Sequence, residues 1–457
     1  MAKPAPMTET LINVLRRRGP LSARDLGEAL GVSQPTISRL LDTSGAEVTR
    51  FGRARRTRYA ARRDVRGLGH EWPLFRVDAQ GRPHEFGLLA ALHGGGCLLT
   101  GATPVWLRDE FVDGLFPGVP WFLDDQRPQG FLGRQFAQRW SRELGLPADV
   151  LLWDNDAVLT ALLRHGEDGP GNFILGEAAL ERALQSEFDV VAEETRWSRY
   201  GDMANVAIAG EAVGSSAAGE QPKFTATVID AEGATRHVIV KFTEPVEAGA
   251  TAQRWADLLI CEHLAGQLLA EQGNASAPTE LIWSQGRLCL EATRFDRIGA
   301  YGRRGCVSLA AWSDAHDGNR DDWVTAARRM HEAGWIDDAS LAQVRQRWWF
   351  GRLIGNTDMH FGNLSFFFDD TLPMAVTPSY DMLPMLYRPA SNGAIPPRVF
   401  QPAVPSPGDM TYWLCAARWA VIYWTRVSQH AEISEGFHDI AKANIEAIAR
   451  LRERFDT

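Results

Sequence analysis

The segment LIGNTDMHFGNLSFFFDDTLPMAVTPSYDMLP, residues 353–384, places three oxygen-bearing side chains around a run of aromatic residues. Asp358 and Asn363 are five positions apart in a polar loop that follows an apolar helix. Two strands, at about 364–368 and 374–377, are predicted to form a hairpin that returns the chain to Asp381. This order is typical of a phosphoryl-transfer site, in which one carboxylate accepts a proton while an amide and a second carboxylate hold Mg²⁺.

His360 lies between the first two of these residues. Together with Asp358 it could indicate a zinc site, but no second histidine and no cysteine stand nearby at metal-ligand spacing. A nucleotide contact or a bond that braces the loop is the favoured interpretation, and a purely structural histidine remains an alternative.

A second group of candidate residues precedes this segment. The loop VGSSAAGEQPKF, residues 213–224, is rich in small residues that let the backbone approach an anion, and Lys223 adds a charge. It matches neither a P-loop nor a dinucleotide fingerprint. Lys241 ends the apolar run HVIVKF, where burial requires a negative partner such as a nucleotide phosphate. The alternatives are a flexible hairpin for the loop and a lysine that reaches solvent at a strand end.

The order of strands and helices predicts the fold class. The runs NVAIAG, FTATVID and HVIVKF, between residues 205 and 242, are predicted strands, and residues 250–271 are a predicted long helix that Gly273 ends. From Leu309 onward the sequence is mostly helical. Strands followed by helices predict an α+β body of two lobes, one β-rich and one mostly helical.

The first 63 residues differ in charge from the rest of the chain. They contain thirteen basic and five acidic residues, a net charge of +8, whereas the other 394 residues carry 35 basic and 52 acidic residues, a net charge of −17. A basic segment on an acidic protein favours a nucleic-acid partner, although a solvated basic tail is the alternative.

Within this basic segment, three short helices are predicted. Residues 8–18 have helical spacing of apolar residues, Ser22 and Ser33 are candidate N-caps, and Gly31 permits a sharp turn before a third helix that ends near Asp42. The run VTRFGRARRTRYAARR then predicts a basic hairpin with seven arginines between Arg50 and Arg63. This pattern resembles a winged helix-turn-helix domain. The predicted DNA-binding residues are Gln34, Thr36, Ser38, Arg39, Arg53, Arg55, Arg56 and Arg58. A winged helix that binds only protein is the alternative.

Length and composition limit the remaining possibilities. The chain of 457 residues, 45% of them hydrophobic and 23% charged, is expected to fold as about three globular domains. We predict boundaries of 1–64 for the winged helix, 65–292 for the β-rich lobe and 293–457 for the helical lobe. The five cysteines are scattered, which disfavours a disulfide framework. No signal peptide or membrane segment is evident, so a cytoplasmic protein without a membrane partner is expected.

The ordered set GSSAAGEQPK, VIVKF, EATRFDR, NTDMHFGNLSFFF and SYD resembles the HipA-family serine/threonine kinases of bacterial toxin-antitoxin systems, over roughly residues 70–457. The added N-terminal domain makes the chain most similar to the YjjJ-type branch. The resemblance implies ATP and Mg²⁺ as cofactors, a protein substrate, and an antitoxin as a candidate partner. A homodimer is expected if the N-terminal domain binds a palindromic DNA site.

Particular roles are also implied by the resemblance. Asp358 would be the catalytic base, and Lys241 and His360 would contact the nucleotide. Asn363 and Asp381 would be the magnesium ligands. The hinge beside adenine would lie near Glu291 and Phe295, and Ser216 would be autophosphorylated, with Ser215 as a second candidate. The phosphate-binding loop would comprise Ser215, Ser216, Ala217, Ala218, Gly219 and Lys223.

Some features stay open at this point. Glu220 and Thr293 depart from the family pattern, which has a small residue and a glutamate there, and either Asp257 or Glu262 could be the acidic partner of Lys241. An alternative function is a DNA-binding regulator whose kinase-like body senses a nucleotide or small ligand without turnover. A kinase for a lipid or a small molecule is a third possibility.

Overall fold

The structure is a computed structural model that describes residues 6–185, 190–209 and 221–455. The described chain divides into two compact units. Unit 1 contains residues 6–78, 82–127 and 141–185, and unit 2 contains residues 79–81, 128–140, 190–209 and 221–455. Within these ranges, no helix combines the length and the apolar character that crossing a membrane requires.

The helices and strands are numbered in chain order. The helices are α1 Pro6–Arg18, α2 Ala23–Leu30, α3 Gln34–Thr43, α4 Gly130–Leu144, α5 Asn155–His165, α6 Glu177–Gln185, α7 Arg196–Ala209, α8 Ala250–Glu271, α9 Leu309–His316, α10 Trp323–Glu332, α11 Asp338–Leu353, α12 Met410–Gln429 and α13 Glu435–Arg452. The strands are β1 Val48–Phe51, β2 Arg58–Ala61, β3 Glu71–Val77, β4 Pro83–Ala91, β5 Cys97–Thr100, β6 Leu115–Phe116, β7 Phe173–Leu175, β8 Val190–Ala192, β9 Lys223–Ile229, β10 Thr235–Phe242, β11 Thr279–Ser284, β12 Arg287–Thr293, β13 Arg297–Ile298, β14 Gly302–Arg303, β15 Cys306–Ser308 and β16 Ser365–Phe367.

Unit 1 begins with three helices and a hairpin. Ser22 caps α2 in a complete capping box with Asp25, and Gly31 ends α2 with a φ of +66°, as its sequence predicts. Strands β1 and β2 then pair antiparallel. One apolar cluster holds these elements together, and its fully buried members include Leu11, Leu15, Leu26 and Ile37.

A five-stranded antiparallel sheet completes unit 1, in the order β6-β5-β4-β3-β7. Unit 2 contains another five-stranded sheet, in the order β11-β12-β10-β9-β8, where only β8 and β9 pair parallel. The range 65–292, predicted as one lobe, therefore contains two separate sheets.

Helix α7 corrects one prediction. The run NVAIAG was expected to be a strand, but residues 205–209 end α7. Tyr200, Ala204 and Ala207 recur at helical spacing and are buried against β9 and β10, whereas Val206 is 75% exposed. A six-residue run is too short to distinguish the apolar spacing of a helix from that of a strand. Tyr200, which reveals the helical spacing, precedes the run.

Other elements of unit 2 agree with the predictions. The predicted strands FTATVID and HVIVKF correspond to β9 and β10, and the predicted helix has the bounds of α8. From residue 309 onward helices predominate, so the chain is an α+β protein. The hairpin predicted at 364–368 and 374–377 is formed only in part. Its second segment pairs with β16 at a single bridge, between Phe366 and Val376, and the strand that pairs with β16 is β15.

Candidate active site

Asp358 lies in a loop that begins where α11 ends. Phe350, Leu353 and Ile354 are fully buried and fix the end of the helix, and Gly355 turns the chain with a φ of +76°. Asp358 follows, half-buried at the edge of a cleft. The buried end of α11 thus determines where this carboxylate lies.

Asn356, which the sequence analysis did not single out, connects this loop to Asp381. Its side-chain Oδ1 accepts a hydrogen bond from the backbone N–H of Asp358 at 3.0 Å, and its Nδ2 donates to the backbone carbonyl of Asp381 at 3.2 Å. Asn356 is 3% exposed, so water competes little for these bonds. Its position two residues before Asp358, directly after an apolar helix, is the signal that could have identified it.

His360 and Asn363 shape the other side of the loop. The Nδ1 atom of His360 accepts a hydrogen bond from the backbone N–H of Gly362 at 3.0 Å, while the imidazole is exposed at the cleft. The Nδ2 atom of Asn363 donates to the backbone carbonyl of Asp358 at 2.8 Å. Nearby, the Tyr380 hydroxyl donates to the carbonyl of Gly362 at 2.8 Å. These bonds hold the loop in one conformation.

Lys241 is buried between two acids. Its Nζ lies 2.5 and 2.7 Å from the two carboxylate oxygens of Glu262 on α8, and it also forms an ion pair with Asp381. Burial alone would lower the pKa of Lys241, but the two carboxylates outweigh burial and raise it. Lys241 is therefore cationic throughout the physiological pH range.

The two acids respond in opposite directions. Burial, together with the nearby Asp381 carboxylate, raises the pKa of Glu262, although Lys241 lowers it. Burial would also raise the pKa of Asp381, but the neighbouring Lys241 ammonium lowers it to about 2. Asp381 has a φ of +53°, which is uncommon outside glycine, and such backbone conformations concentrate at functional sites.

The structure selects between the two acids that the sequence offered as partners of Lys241. Asp257 instead accepts hydrogen bonds from the backbone N–H and the hydroxyl of Ser434, at 2.9 and 2.6 Å. Glu262 is the residue that contacts Lys241. The two acids are five positions apart on α8, so they point in different directions.

One cleft, with a volume of about 130 Å³, brings together five of the eight predicted catalytic and nucleotide-binding residues that the structure describes. Its polar lining consists of Gln221, Lys223, Lys241, Glu262, Asp358, His360 and Asp381, and its apolar lining consists of Trp255, Leu259, Leu383 and Met385. Lys223 lies opposite Lys241 in the pairing of β9 and β10. Asn363 does not line this cleft. It contacts a lining residue, because its Nδ2 atom donates to the backbone carbonyl of Asp358.

The remaining predicted nucleotide contacts are placed differently. Ser215, Ser216, Ala217, Ala218 and Gly219 lie outside the described residues. The Glu291 side chain is buried on the opposite face of the sheet from Lys241, where Arg196, Arg236 and Tyr200 bind its carboxylate. Phe295 packs on Tyr380, with ring centroids 5.7 Å apart.

The polar groups fit Mg²⁺ and a nucleotide phosphate. Asn363 uses its amide nitrogen within the loop, so Oδ1 is the hard ligand that it would offer to a metal, with the Asp381 carboxylate as a second. Two lysines at the cleft supply positive charge for phosphates. The described residues contain no group of three or more His, Cys, Asp and Glu side chains that could hold a metal ion.

The predicted DNA-binding residues lie on α3 and on the hairpin β1–β2. Gln34, Ser38 and Arg39 are exposed on α3, whereas Thr36 is half-buried and its hydroxyl lies 3.1 Å from that of Ser33. Arg53, Arg55, Arg56 and Arg58 are exposed on the hairpin.

Comparisons with known proteins cover nearly the whole chain. Residues 68–184 match the family described as "YjjJ-like toxin, middle domain", and residues 215–449 match "HipA-like C-terminal domain". The chain is 39% identical over 440 residues to "Toxin YjjJ" of Escherichia coli (strain K12), covering 96% of this chain and 97% of that protein.

Two solved structures are also similar. One is the Shewanella oneidensis MR-1 toxin-antitoxin system HipA, HipB and operator DNA complex, with a TM-score of 0.49 and 14% identity, covering 84% of this chain and 97% of that chain. The other is the Helicobacter pylori proinflammatory kinase CtkA, with a TM-score of 0.34 and 13% identity, covering 49% of this chain and 93% of that chain.

Proposed function

The chain belongs to the YjjJ-like toxin family, and from this premise we propose that its C-terminal body is an ATP- and Mg²⁺-dependent protein serine/threonine kinase. The observation that carries the proposal is the convergence of Lys241 with Asp358 and Asp381, from two distant parts of the sequence, on one cleft. A phosphoryl-transfer site needs a cation for the phosphates, a carboxylate for the attacking hydroxyl and oxygen ligands for a metal.

Each side chain has a task in this proposal. Asp358 accepts the proton of the substrate hydroxyl, and Asn356 holds its loop at a fixed position relative to Asp381. Asn363 and Asp381 would hold Mg²⁺, which neutralises charge on the phosphates when it is bound. Lys241 would bind a nucleotide phosphate, and its hydrogen bonds to Glu262 would keep the ammonium in place if Asp381 held a metal.

Replacement of Asp358 by Asn tests the catalytic role. We expect Asp358→Asn to reduce phosphoryl transfer by roughly two to four orders of magnitude while nucleotide binding persists, because only proton acceptance is lost. The measurement is transfer of the labelled γ-phosphate of ATP to proteins of a cell lysate. Asp369→Asn, which removes an exposed carboxylate of the same segment, is the matched control and should retain activity.

Two results would contradict the kinase assignment. Undiminished label in the Asp358→Asn reaction would show that Asp358 is not the base. If the wild type binds nucleotide but labels nothing, the body is a sensor without turnover, as in the regulator alternative. Label in lipid or small-molecule fractions alone would identify a different acceptor class.

Autophosphorylation is a separate part of the proposal. We expect Ser216→Ala to abolish phosphate incorporation into the protein itself, because the family resemblance assigns the modified hydroxyl to this serine. Mass spectrometry of the wild type, Ser216→Ala and the matched Ser215→Ala variant locates the phosphate. A phosphate retained in Ser216→Ala and lost in Ser215→Ala would transfer the assignment to Ser215.

We propose in addition that the N-terminal segment binds DNA. Exposed Gln34, Ser38 and Arg39 on α3 have the side-chain types that contact bases and phosphates, and the basic hairpin supplies further phosphate contacts. A homodimer would place two such segments on a palindromic site, and an antitoxin would be a further partner. Analytical ultracentrifugation with and without operator-length DNA measures the stoichiometry.

A further inference from the structure

The hairpin β1–β2 is attached to the sheet of unit 1. Phe51 and Ala60 of the hairpin share a buried apolar cluster with Ala90, Leu92 and Leu98 of the sheet. Backbone bonds join the same parts, because the N–H of residue 63 donates to the carbonyl of residue 91 and the N–H of residue 93 donates to that of residue 61, at 2.8 and 2.9 Å. The hairpin therefore has a fixed position on this sheet.

A cleft of about 390 Å³ lies between the hairpin and the neighbouring loops of the sheet, and we call it the hairpin cleft. Residues 50–53 and 56 form one wall, and residues 99–104, 107 and 112–114 form the other. This volume lies within the range of small-molecule sites. The shared apolar core keeps both walls in place, so the cleft exists before a ligand arrives.

The charged side chains that line the hairpin cleft are mostly basic. Arg50, Arg53 and Arg56 line it, and Asp113 is its one acidic lining residue. Arg56 lies 3.4 Å from Asp113, whereas Arg50 and Arg53 form no ion pair with any residue that the structure describes. Two guanidinium groups without a carboxylate thus face a concave space.

The chemistry of the walls indicates the ligand class. A guanidinium group donates two parallel hydrogen bonds to a phosphate, and several of them in a cleft favour a multiply charged anion. The hydroxyl groups of Thr100 and Thr103 on the opposite wall add neutral donors. Ordinary surface arginines lack such an opposite wall.

We propose that the hairpin cleft is a binding site for a phosphate-bearing ligand, held by Arg50 and Arg53 against the loop that contains Thr103. The phosphate has two possible sources, a free phosphate compound or the DNA backbone, because Arg53 and Arg56 are also predicted DNA-binding residues. This site is separate from the nucleotide cleft beside Lys241 and does not depend on kinase activity.

Calorimetric titration of the full-length protein with inorganic pyrophosphate, without divalent cations, tests the free-ligand source. We expect binding to one site per chain, and we expect Arg50→Ala/Arg53→Ala to raise the dissociation constant at least about tenfold. The matched control is Arg55→Ala/Arg58→Ala, which removes two exposed charges of the same hairpin that do not line the cleft. Melting temperatures establish that all variants are folded.

A second variant separates the two sources. Thr103→Trp fills the cleft without changing the charge, and a duplex DNA is titrated in parallel. If the natural ligand is a free phosphate compound, we expect wild type to bind pyrophosphate and Thr103→Trp to lose that binding. If the ligand is the DNA backbone, we expect no pyrophosphate binding, and Thr103→Trp to weaken the binding of duplex DNA about tenfold. The proposal is overturned if Thr103→Trp changes neither titration, or if both double-arginine variants have equal effects.

Discussion

Asp381, in the candidate active site, makes the free energy of unfolding depend on pH in the acidic range. The Lys241 ammonium overcomes the effect of burial and lowers the pKa of Asp381 from 3.8 to about 2. A carboxylate with a lowered pKa stabilises the folded state above its ordinary pKa, and this stabilisation disappears as the pH falls through the lowered value. We expect the free energy of unfolding of the wild type to exceed that of Asp381→Asn at pH 5, with a smaller difference at pH 3.

Urea unfolding at the two pH values measures this effect. Asp369→Asn removes an exposed carboxylate from the same segment, so its difference from the wild type should change little with pH. An unchanged difference between the wild type and Asp381→Asn at pH 5 and pH 3 would show that Lys241 does not stabilise the Asp381 carboxylate.

The sequence does not identify the acidic partner of Lys241. Lys241 and Asp381 themselves can be predicted, because each has a distinctive sequence context. The choice between Asp257 and Glu262 could not be made, because α8 has fully buried apolar residues on all sides and its sequence does not reveal which face meets the sheet. Only the packing of α8 determines that Glu262 faces Lys241.

At the level of elements, strong local patterns predicted α1–α3, α8, β9 and β10. Helix α8 is rich in apolar residues and is followed by a glycine stop, and its predicted bounds agree with the structure. The run NVAIAG was misassigned because residues outside it determine its periodicity. Arg196 at the start of α7 and Glu291 on β12 meet although they are 95 positions apart, and no local pattern predicts such a contact.

The contact between Arg196 and Glu291 connects α7 to the sheet of unit 2. The Glu291 carboxylate is 3% exposed and accepts hydrogen bonds from Arg196 at 2.9 Å and Tyr200 at 2.5 Å. We expect Arg196→Met to lower the free energy of unfolding by about 2–3 kcal/mol, less than the usual loss for a broken buried pair because Arg236 still binds Glu291.

A double-mutant cycle with Glu291→Gln checks this expectation. The double variant should lose less stability than the two single variants added together, with a coupling of at least about 1 kcal/mol. Arg24→Ala, which breaks an exposed pair with Glu28, is the control and should change stability little. Additive losses would show that the two residues act independently.

For the whole molecule, the division of charge has a structural counterpart. The described part of the basic segment, residues 6–63, belongs to unit 1, but not all of its arginines face solvent. Arg62 lies 3.1 Å from Glu71, and Arg63 forms an ion pair with Asp156, so both bind the rest of unit 1. The sequence could not distinguish these two from the other five hairpin arginines, because their partners follow later in the chain.

This distinction makes the DNA proposal quantitative. Five exposed arginines remain on the hairpin, and one of them, Arg56, is paired with Asp113. Each phosphate contact contributes about −0.9 to the slope of log affinity against log salt, so four or five contacts predict a slope of about −3.6 to −4.5. Arg55→Ala/Arg58→Ala should reduce its magnitude by about 1.8. Arg62→Ala should leave the slope unchanged, because its guanidinium is already paired with Glu71. Gel-shift titrations across salt concentrations measure all three slopes. A wild-type slope near zero would contradict DNA binding. Equal effects of Arg55→Ala/Arg58→Ala and Arg62→Ala would show that a paired arginine contributes to the slope as much as exposed ones do.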